Sequence, residues 1–122
     1  MSAAEDLLAV QLDGEAIPYA REYLISAPGF RTPTGRQKKW RADFRVYGEP
    51  INIGRPDLIV EIEGGIGGKS RHTTYTGFTE DCVKYAGATI LGFRVMRVTT
   101  AQVNDGTALS WIRQALGMEN AA

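Results

Sequence analysis

The segment Asp57–Glu63, with the sequence DLIVEIE, decides the fold of this chain. Neighbouring side chains of a β-strand point to opposite faces, so Leu58 and Val60 share one face while Glu61 and Glu63 share the other. Because the rest of the run is apolar, the segment is predicted to be a central strand. Both carboxylates are then partly out of water, with their Cα atoms about 7 Å apart.

The sequence on either side of this strand predicts alternating helices and strands. Ser2 followed three residues later by Glu5 has the form of a capping box, which marks the start of a helix. The predicted elements are that helix up to Asp13-Gly14, strands over about Ala20–Ser26, Lys39–Tyr47 and Asp57–Glu63, a helix ending at Gly92, a strand over Phe93–Val98, and a helix over Ala101–Gly117.

This order predicts an α/β fold with a mixed central sheet. The first three strands are expected to form an antiparallel meander, and the fourth to be joined through a helical crossover. A little extended structure is also expected at Ile51–Ile53.

The apolar patterns also predict which faces are buried. In the strand Lys39–Tyr47, one face is expected to carry Trp40, Ala42, Phe44 and Val46. In the crossover helix, the spacing of Phe78, Cys82, Tyr85 and Ala86 predicts the packing face. Asp81 and Lys84 then lie on the other side of that helix, either as a surface ion pair or as groups that orient a site.

Composition excludes several classes of function. The chain has 122 residues with 14 basic and 14 acidic side chains, which indicates one domain over residues 1–122 and no global attraction to nucleic acid or membranes. There is no apolar run long enough to span a membrane, so we expect a cytoplasmic protein. With Cys82 as the sole cysteine and His72 as the sole histidine, cysteine-based structural zinc and two-histidine protease sites are not expected.

The acidic residues indicate a site for a divalent metal ion. Asp43 lies on the polar face of the strand before Glu61 and can come within cross-strand distance of it. Oxygen ligands of this kind suit Mg²⁺ or Mn²⁺, which polarise phosphoryl oxygens and activate water. The alternative is a solvated acidic face paired with Arg41 and Arg45.

Basic residues are concentrated in two groups beside this cluster. The first comprises Arg31, Arg36, Lys38, Lys39, Arg41 and Arg45 and can follow a phosphate backbone. Trp40 within it is either a core residue or a stacking platform for a base. The second group, Lys69, Arg71 and His72, follows the acidic strand in a glycine-flanked loop. His72 is a candidate phosphate ligand or acid–base group.

With these residues in place, the chain resembles the PD-(D/E)XK nuclease superfamily. The resemblance lies in Lys39–Phe44 followed by Ile59-Val-Glu61-Ile-Glu63-Gly-Gly, in the variant where an acid replaces the final lysine. Later segments resemble small bacteriophage endonucleases distantly related to very-short-patch repair endonucleases. The resemblance extends over about residues 19–112 and implies a restriction-endonuclease-like αβββαβ core with an extra C-terminal helix.

The resemblance also implies roles for individual residues. Asp43, Glu61 and the carbonyl of Ile62 would ligate Mg²⁺ or Mn²⁺, and Glu63 would serve as a base or a further ligand. A cation in place of the missing lysine would come from Lys69, Arg71 or Lys84. The implied activity is a metal-dependent DNA endonuclease, acting on branched or mismatched DNA and plausible as a homodimer. The alternatives are a catalytically inactive DNA-binding module and a protein-interaction domain whose basic residues meet an acidic partner.

Overall fold

The computed structural model describes residues 2–47, 57–64 and 75–118. In these ranges a four-stranded mixed sheet of order β1-β2-β3-β4 packs with four helices: α1 Ala3–Gly14, β1 Tyr19–Ile25, β2 Trp40–Val46, β3 Leu58–Glu63, α2 Tyr75–Ile90, β4 Arg94–Thr99, α3 Thr100–Asn104 and α4 Thr107–Ala115. Strands β1, β2 and β3 are antiparallel, and β4 is parallel to β3. The predicted α/β class, meander and helical crossover are confirmed, whereas Ile51–Ile53 lies outside the described residues.

Both ends of the chain follow local signals in the sequence. The Ser2 hydroxyl accepts a hydrogen bond from Glu5 N, and the Glu5 carboxylate accepts one from Ser2 N at 2.8 Å, so the predicted capping box is present. The predicted single helix over Ala101–Gly117 is instead two helices. Gly106 separates them in a left-handed conformation with φ of 84°, which is accessible to glycine without steric cost.

Two apolar cores lie on opposite faces of the sheet. The larger packs α1, α3 and α4 against Phe44, Val46 and Val60. The smaller lies on the α2 side, where Trp40 and Ile59 meet Ala88. Both faces of β3 are therefore covered, which explains its nearly continuous apolar sequence.

The predicted single apolar face of β2 is wrong in one respect. All four predicted residues are buried, but Trp40 and Ala42 enter the core on the α2 side while Phe44 and Val46 enter the other. The change falls at Asp43, where the pairing of β1 with β2 is interrupted between Arg21↔Phe44 and Tyr23↔Ala42, and Glu22 at the interruption has a left-handed φ of 52°. An irregular position in the ladder sharpens the local bend and twist of the paired strands, so side chains of the same alternation meet different cores on either side of it.

The predicted packing face of α2 is also wrong. Phe78 is 60% exposed and Cys82 and Ala86 are exposed, while Asp81 and Lys84 point inward and are buried. The reason is that α2 packs the small residues Gly87 and Ala88 against the sheet and turns Lys84 toward the Glu61 carboxylate on β3. Within the described ranges, no helix is both long and apolar enough to cross a membrane.

We expect Gly87→Val to destabilise the protein by about 2 kcal/mol, because overpacking costs typically 1–3 kcal/mol. Helix propensity alone would favour valine over glycine slightly. However, a Cβ atom at Gly87 would lie 3.0 Å from the Trp40 ring and 3.3 Å from the Ala27 methyl group. Urea unfolding measures the change.

The matched control is Ala86→Val on the exposed side of the same turn, which should cost only about 0.5 kcal/mol. Equal stability of the two variants would contradict the packing described for Gly87.

Candidate functional site

The site is built where strands β2 and β3 part. Their pairing runs from Val46↔Leu58 to Phe44↔Val60 and stops there, while β3 stays paired with β4 up to Glu63. Beyond this point, side-chain carboxylates accept hydrogen bonds from backbone N–H groups in place of the bonds between paired strands. Ile62 N donates to Asp43 Oδ2 at 2.8 Å, and Asp43 N donates to Glu61 Oε2 at 3.3 Å. The cross-strand approach of Asp43 and Glu61 expected from the sequence is thus present, and the two carboxylates are fixed by the backbone.

Helix α2 closes the gap from one face of the sheet. Lys84 contacts the Glu61 carboxylate through its ammonium and donates to the Arg41 carbonyl oxygen at 2.8 Å. Together with the strands, α2 encloses a cleft of about 220 Å³, here called the α2 cleft. Its lining residues are Arg41, Asp43, Glu61, Ile62, Glu63, Asp81, Lys84 and Tyr85.

Three charged residues of the α2 cleft are almost inaccessible to water. Glu61, Asp81 and Lys84 are 6%, 5% and 9% exposed. Buried charges are tolerated when they are paired, and the ammonium of Lys84 pairs with Glu61. Burial lowers the pKa of Lys84, although the nearby Asp43 carboxylate opposes this shift. The alternative that Asp81 and Lys84 are only a surface ion pair is therefore excluded.

Glu63 and Tyr85 lie toward the mouth of the α2 cleft. The Glu63 carboxylate accepts a hydrogen bond from Arg97 Nε at 2.8 Å, and the Arg97 guanidinium lies 5.1 Å from the centroid of the Tyr85 ring. Burial raises the pKa of Tyr85 to about 12, and nearby carboxylates including Glu63 act in the same direction. The phenol therefore stays protonated at neutral pH and is available as a hydrogen-bond donor.

A second cleft opens on the opposite face of the sheet, at the start of α1. Asp43 and Ile62 line this cleft as well, together with Ser2, Glu5, Gly64 and Thr100. The Glu5 and Asp43 carboxyl groups lie close enough to each other to shift each other's pKa. Sequence analysis missed Glu5 as a site residue because its capping role already accounts for it. The sequence signal that could have found Glu5 is the presence of acidic residues in the first turn of α1.

The two carboxyl groups have pKa values shifted in opposite directions. Burial raises the pKa of Asp43 to about 6, and the neighbouring Glu5 adds to the increase, while the Ile62 N–H and Lys84 oppose it. For Glu5, burial raises the pKa, but the Ser2 N–H and Asp43 outweigh burial and lower it. Asp43 is thus a carboxylate whose negative charge is incompletely compensated at neutral pH.

The predicted basic residues divide between the surface and the fold. Arg36, Lys39 and Arg41 are exposed on the approach to β2 and on β2 itself. Lys38 bonds to Glu80 on α2 at 2.7 Å. Lys69, Arg71 and His72 lie outside the described residues.

Arg45, which was predicted to bind nucleic acid, is part of the fold. It donates to Asp57 at 2.6 Å and to the Tyr23 hydroxyl at 2.6 Å. The rings of Tyr23, Tyr47 and Phe93 surround its guanidinium at 4.8–5.1 Å. These contacts leave Arg45 in a structural role.

Trp40 is in the core. Its side chain packs edge-on to Phe30 with ring centroids 5.5 Å apart, and only 9% of the residue is exposed. The open choice between a core residue and a base-stacking platform is therefore decided in favour of the core.

The donor atoms at the gap suit a hard divalent cation. Asp43 and Glu61 provide carboxylate oxygens beside the Ile62 backbone, and Mg²⁺ is commonly held by one or two carboxylates with water completing its shell. The raised pKa of Asp43 reflects a need for nearby positive charge, so these residues fit Mg²⁺ or Mn²⁺. In the described part of the chain, no three acidic, histidine or cysteine side chains converge as a larger metal site.

Comparisons with protein-family models, with curated proteins and with solved structures find no match to this chain. Its function is therefore argued from the geometry and charge of the site.

We expect Asp43→Asn to stabilise the protein by about 2 kcal/mol at pH 8 in EDTA. The folded pKa of about 6 exceeds that of an unfolded aspartate, near 3.9, so the folded state binds more protons between about pH 4 and 6. Stability therefore falls as pH rises through this window. Asparagine removes the cost of the charge and can still accept the Ile62 N–H.

Urea unfolding at pH 4.5 and pH 8 tests this expectation, and the gain at pH 4.5 should be less than half of that at pH 8. Asp6→Asn, in an exposed ion pair with Arg21, is the control. A loss of stability at pH 8 in Asp43→Asn would contradict the assigned environment.

Proposed function

We propose that this chain is a divalent-metal-dependent nuclease of the PD-(D/E)XK type that hydrolyses phosphodiester bonds in DNA. The observation that carries the proposal is the parting of β2 and β3. It leaves Asp43 and Glu61 fixed by backbone hydrogen bonds in a polar cleft, facing a lysine from α2.

In this proposal, the metal ion is held by Asp43, Glu61 and the Ile62 carbonyl. Mg²⁺ or Mn²⁺, when bound there, supplies polarisation of the phosphate and lowers the pKa of a water molecule. The protein's own contribution is to fix the carboxylates before substrate binds. Two hydrogen bonds between β2 and β3 restrict both side chains, so little conformational entropy is lost on binding.

We assign to Lys84 the role of the lysine that the resemblance places at position 63. A lysine on β3 would stand two residues after the second acid, Glu61, but here that position is Glu63. Lys84 reaches the same acid from α2 and lies against the Glu61 carboxylate. It orients Glu61, and its charge favours the approach of a phosphate to an otherwise acidic cleft.

The DNA-binding surface is proposed to run along the exposed cations before and on β2. Arg36, Lys39 and Arg41 precede Asp43 in the chain, and Arg41 also lines the α2 cleft. A DNA backbone following these residues is led toward the carboxylates. Because this surface is small, we extend the proposal to branched or mismatched DNA and to a homodimer that brings two clefts to two strands.

A second candidate is a catalytically inactive DNA-binding module. The observation that favours it is the contact between Lys84 and Glu61, which balances the buried glutamate charge with a protein cation. Such a module would bind DNA with the same salt dependence but show no metal-dependent turnover.

We expect Mg²⁺ or Mn²⁺, but not EDTA, to support cleavage of at least one labelled DNA among duplex, nicked, forked, four-way junction and single-stranded substrates. Glu61→Gln should reduce the rate about 1,000-fold or more, because metal polarisation supplies several kcal/mol. Asp6→Asn is the control and should cleave like the wild type.

Binding of the same DNA panel is measured alongside cleavage. Salt-sensitive binding without cleavage in any metal would reject the nuclease and favour the inactive module. Full activity in Glu61→Gln would reject the assigned carboxylates.

We expect Arg36→Ala and Lys39→Ala each to weaken DNA binding uniformly across sequences. Each variant should reduce the slope of log affinity against log salt by about one, as the loss of one phosphate contact does. Each substitution is made in the inactive Glu61→Gln protein, and fluorescence anisotropy of labelled DNA measures the slope. The control is Arg21→Ala, whose side chain pairs with Asp6 on α1. Unchanged slopes in both surface variants would remove this surface from the DNA-binding assignment.

A further inference from the structure

Arg97 on β4 is a cation of the site that the family resemblance does not assign. Its partner in the parallel pairing of β3 and β4 is Glu61, and its side chain reaches along the strands to Glu63, where Arg97 Nε donates to Glu63 Oε1 at 2.8 Å. The Arg97 side chain is 45% exposed, whereas Glu63 is 20% exposed. The pair therefore has a shielded carboxylate and a guanidinium that reaches solvent.

Two contacts restrict the orientation of this guanidinium. Glu63 holds it at Nε, and the Tyr85 ring lies 5.1 Å from the guanidinium carbon. Within the described residues, Arg97 bonds to Glu63 through Nε, and neither of its Nη atoms donates a side-chain or backbone hydrogen bond. The forked end that arginine uses for phosphate is thus presented at the edge of the α2 cleft, beside Tyr85 and Glu63, which line it.

The excess of carboxylates in the α2 cleft means that binding a phosphate requires a further cation such as Arg97. Among the described residues that line this cleft, the carboxylates Asp43, Glu61, Glu63 and Asp81 outnumber the cations Lys84 and Arg41, so a phosphate that enters the cleft meets an excess of negative charge. Arginine pairs with phosphate through two parallel hydrogen bonds and retains its charge at any working pH. A guanidinium anchored on one side and stacked on a ring loses little freedom when phosphate binds.

We propose that Arg97 binds a phosphate group of the substrate at the mouth of the α2 cleft, and that Glu63 is a positioning residue that holds Arg97 for this purpose. The inference rests on the proposed nuclease function and deepens it by naming the substrate-binding cation. It also gives Glu63 a role other than base or metal ligand.

The test combines DNA binding with steady-state cleavage in Arg97→Gln, Arg97→Lys, Glu63→Gln and Glu63→Ala. Binding of a short single-stranded oligonucleotide is measured in EDTA over a range of salt. Arg97→Gln should weaken binding roughly 10- to 100-fold and lower the salt slope by about one. Arg97→Lys should restore the slope but not the full affinity, because lysine lacks the fork.

Glu63 is tested by comparing its two variants. Glu63→Ala should resemble Arg97→Gln in its KM, whereas Glu63→Gln should be affected less, because its amide oxygen still accepts from Arg97 Nε. Thermal unfolding of each variant shows whether it is folded under the assay conditions. Arg21→Gln is the matched control for charge, because Arg21 does not line the α2 cleft and pairs with Asp6 on α1.

The outcomes separate this inference from the proposed function. If the wild type cleaves DNA but Arg97→Gln keeps wild-type affinity, slope and KM, the Arg97 inference fails alone. If Glu63→Gln is as inactive as Glu61→Gln with wild-type affinity, the Glu63 carboxylate acts in catalysis and its positioning role is overturned. If no substrate is cleaved, the nuclease proposal fails, while the binding data still decide whether Arg97 contacts phosphate.

Discussion

The rest of the structure depends on how the ends of β2 and β3 satisfy their backbone groups after the two strands part. Buried N–H groups need partners, and here the partners are the carboxylates of Asp43 and Glu61. This solution places negative charge inside a sheet that is covered on both faces. The charge in turn requires a buried cation, which explains why α2 carries Lys84 toward the strands. The α2 cleft, the second cleft at α1 and the raised pKa of Asp43 all follow from that one arrangement.

The order of the elements could be predicted because local signals set it. The capping box at Ser2, the apolar run of β3 and the alternation of β2 each depend on neighbouring residues. Which face of β2 and of α2 packs against which core could not be predicted equally well. The change of face at Asp43 leaves the apolar alternation in the sequence of β2 intact. It coincides with the left-handed conformation of Glu22 on another strand, which the pattern of β2 cannot predict. In α2 an apolar stripe pointed to the wrong face, because the helix packs Gly87 and Ala88 against the sheet and leaves Phe78 exposed.

The site residues, too, divide into those that local sequence signals predict and those that depend on tertiary packing. Asp43 and Glu61 could be paired from the sequence because adjacent antiparallel strands bring such residues together. Glu5 and Arg97 reach the site through the tertiary packing of α1 and of β4. The spacing of residues in the sequence does not predict that packing. Arg45 shows the converse, since its place in a basic run suggested phosphate binding, whereas Asp57 and three aromatic rings hold it in the fold.

The contacts that build the α2 cleft also set when it can form during synthesis. The bond from Lys84 to the Arg41 carbonyl spans 43 positions of the chain, and the bond from Arg97 to Glu63 spans 34 positions. A nascent chain that has emerged only through β3 holds both carboxylates but neither cation. Closing such loops costs entropy that is recovered only when α2 and β4 dock. The centre therefore assembles only after α2 and β4 have left the ribosome, and shorter intermediates carry unbalanced acidic charge at the open strand ends.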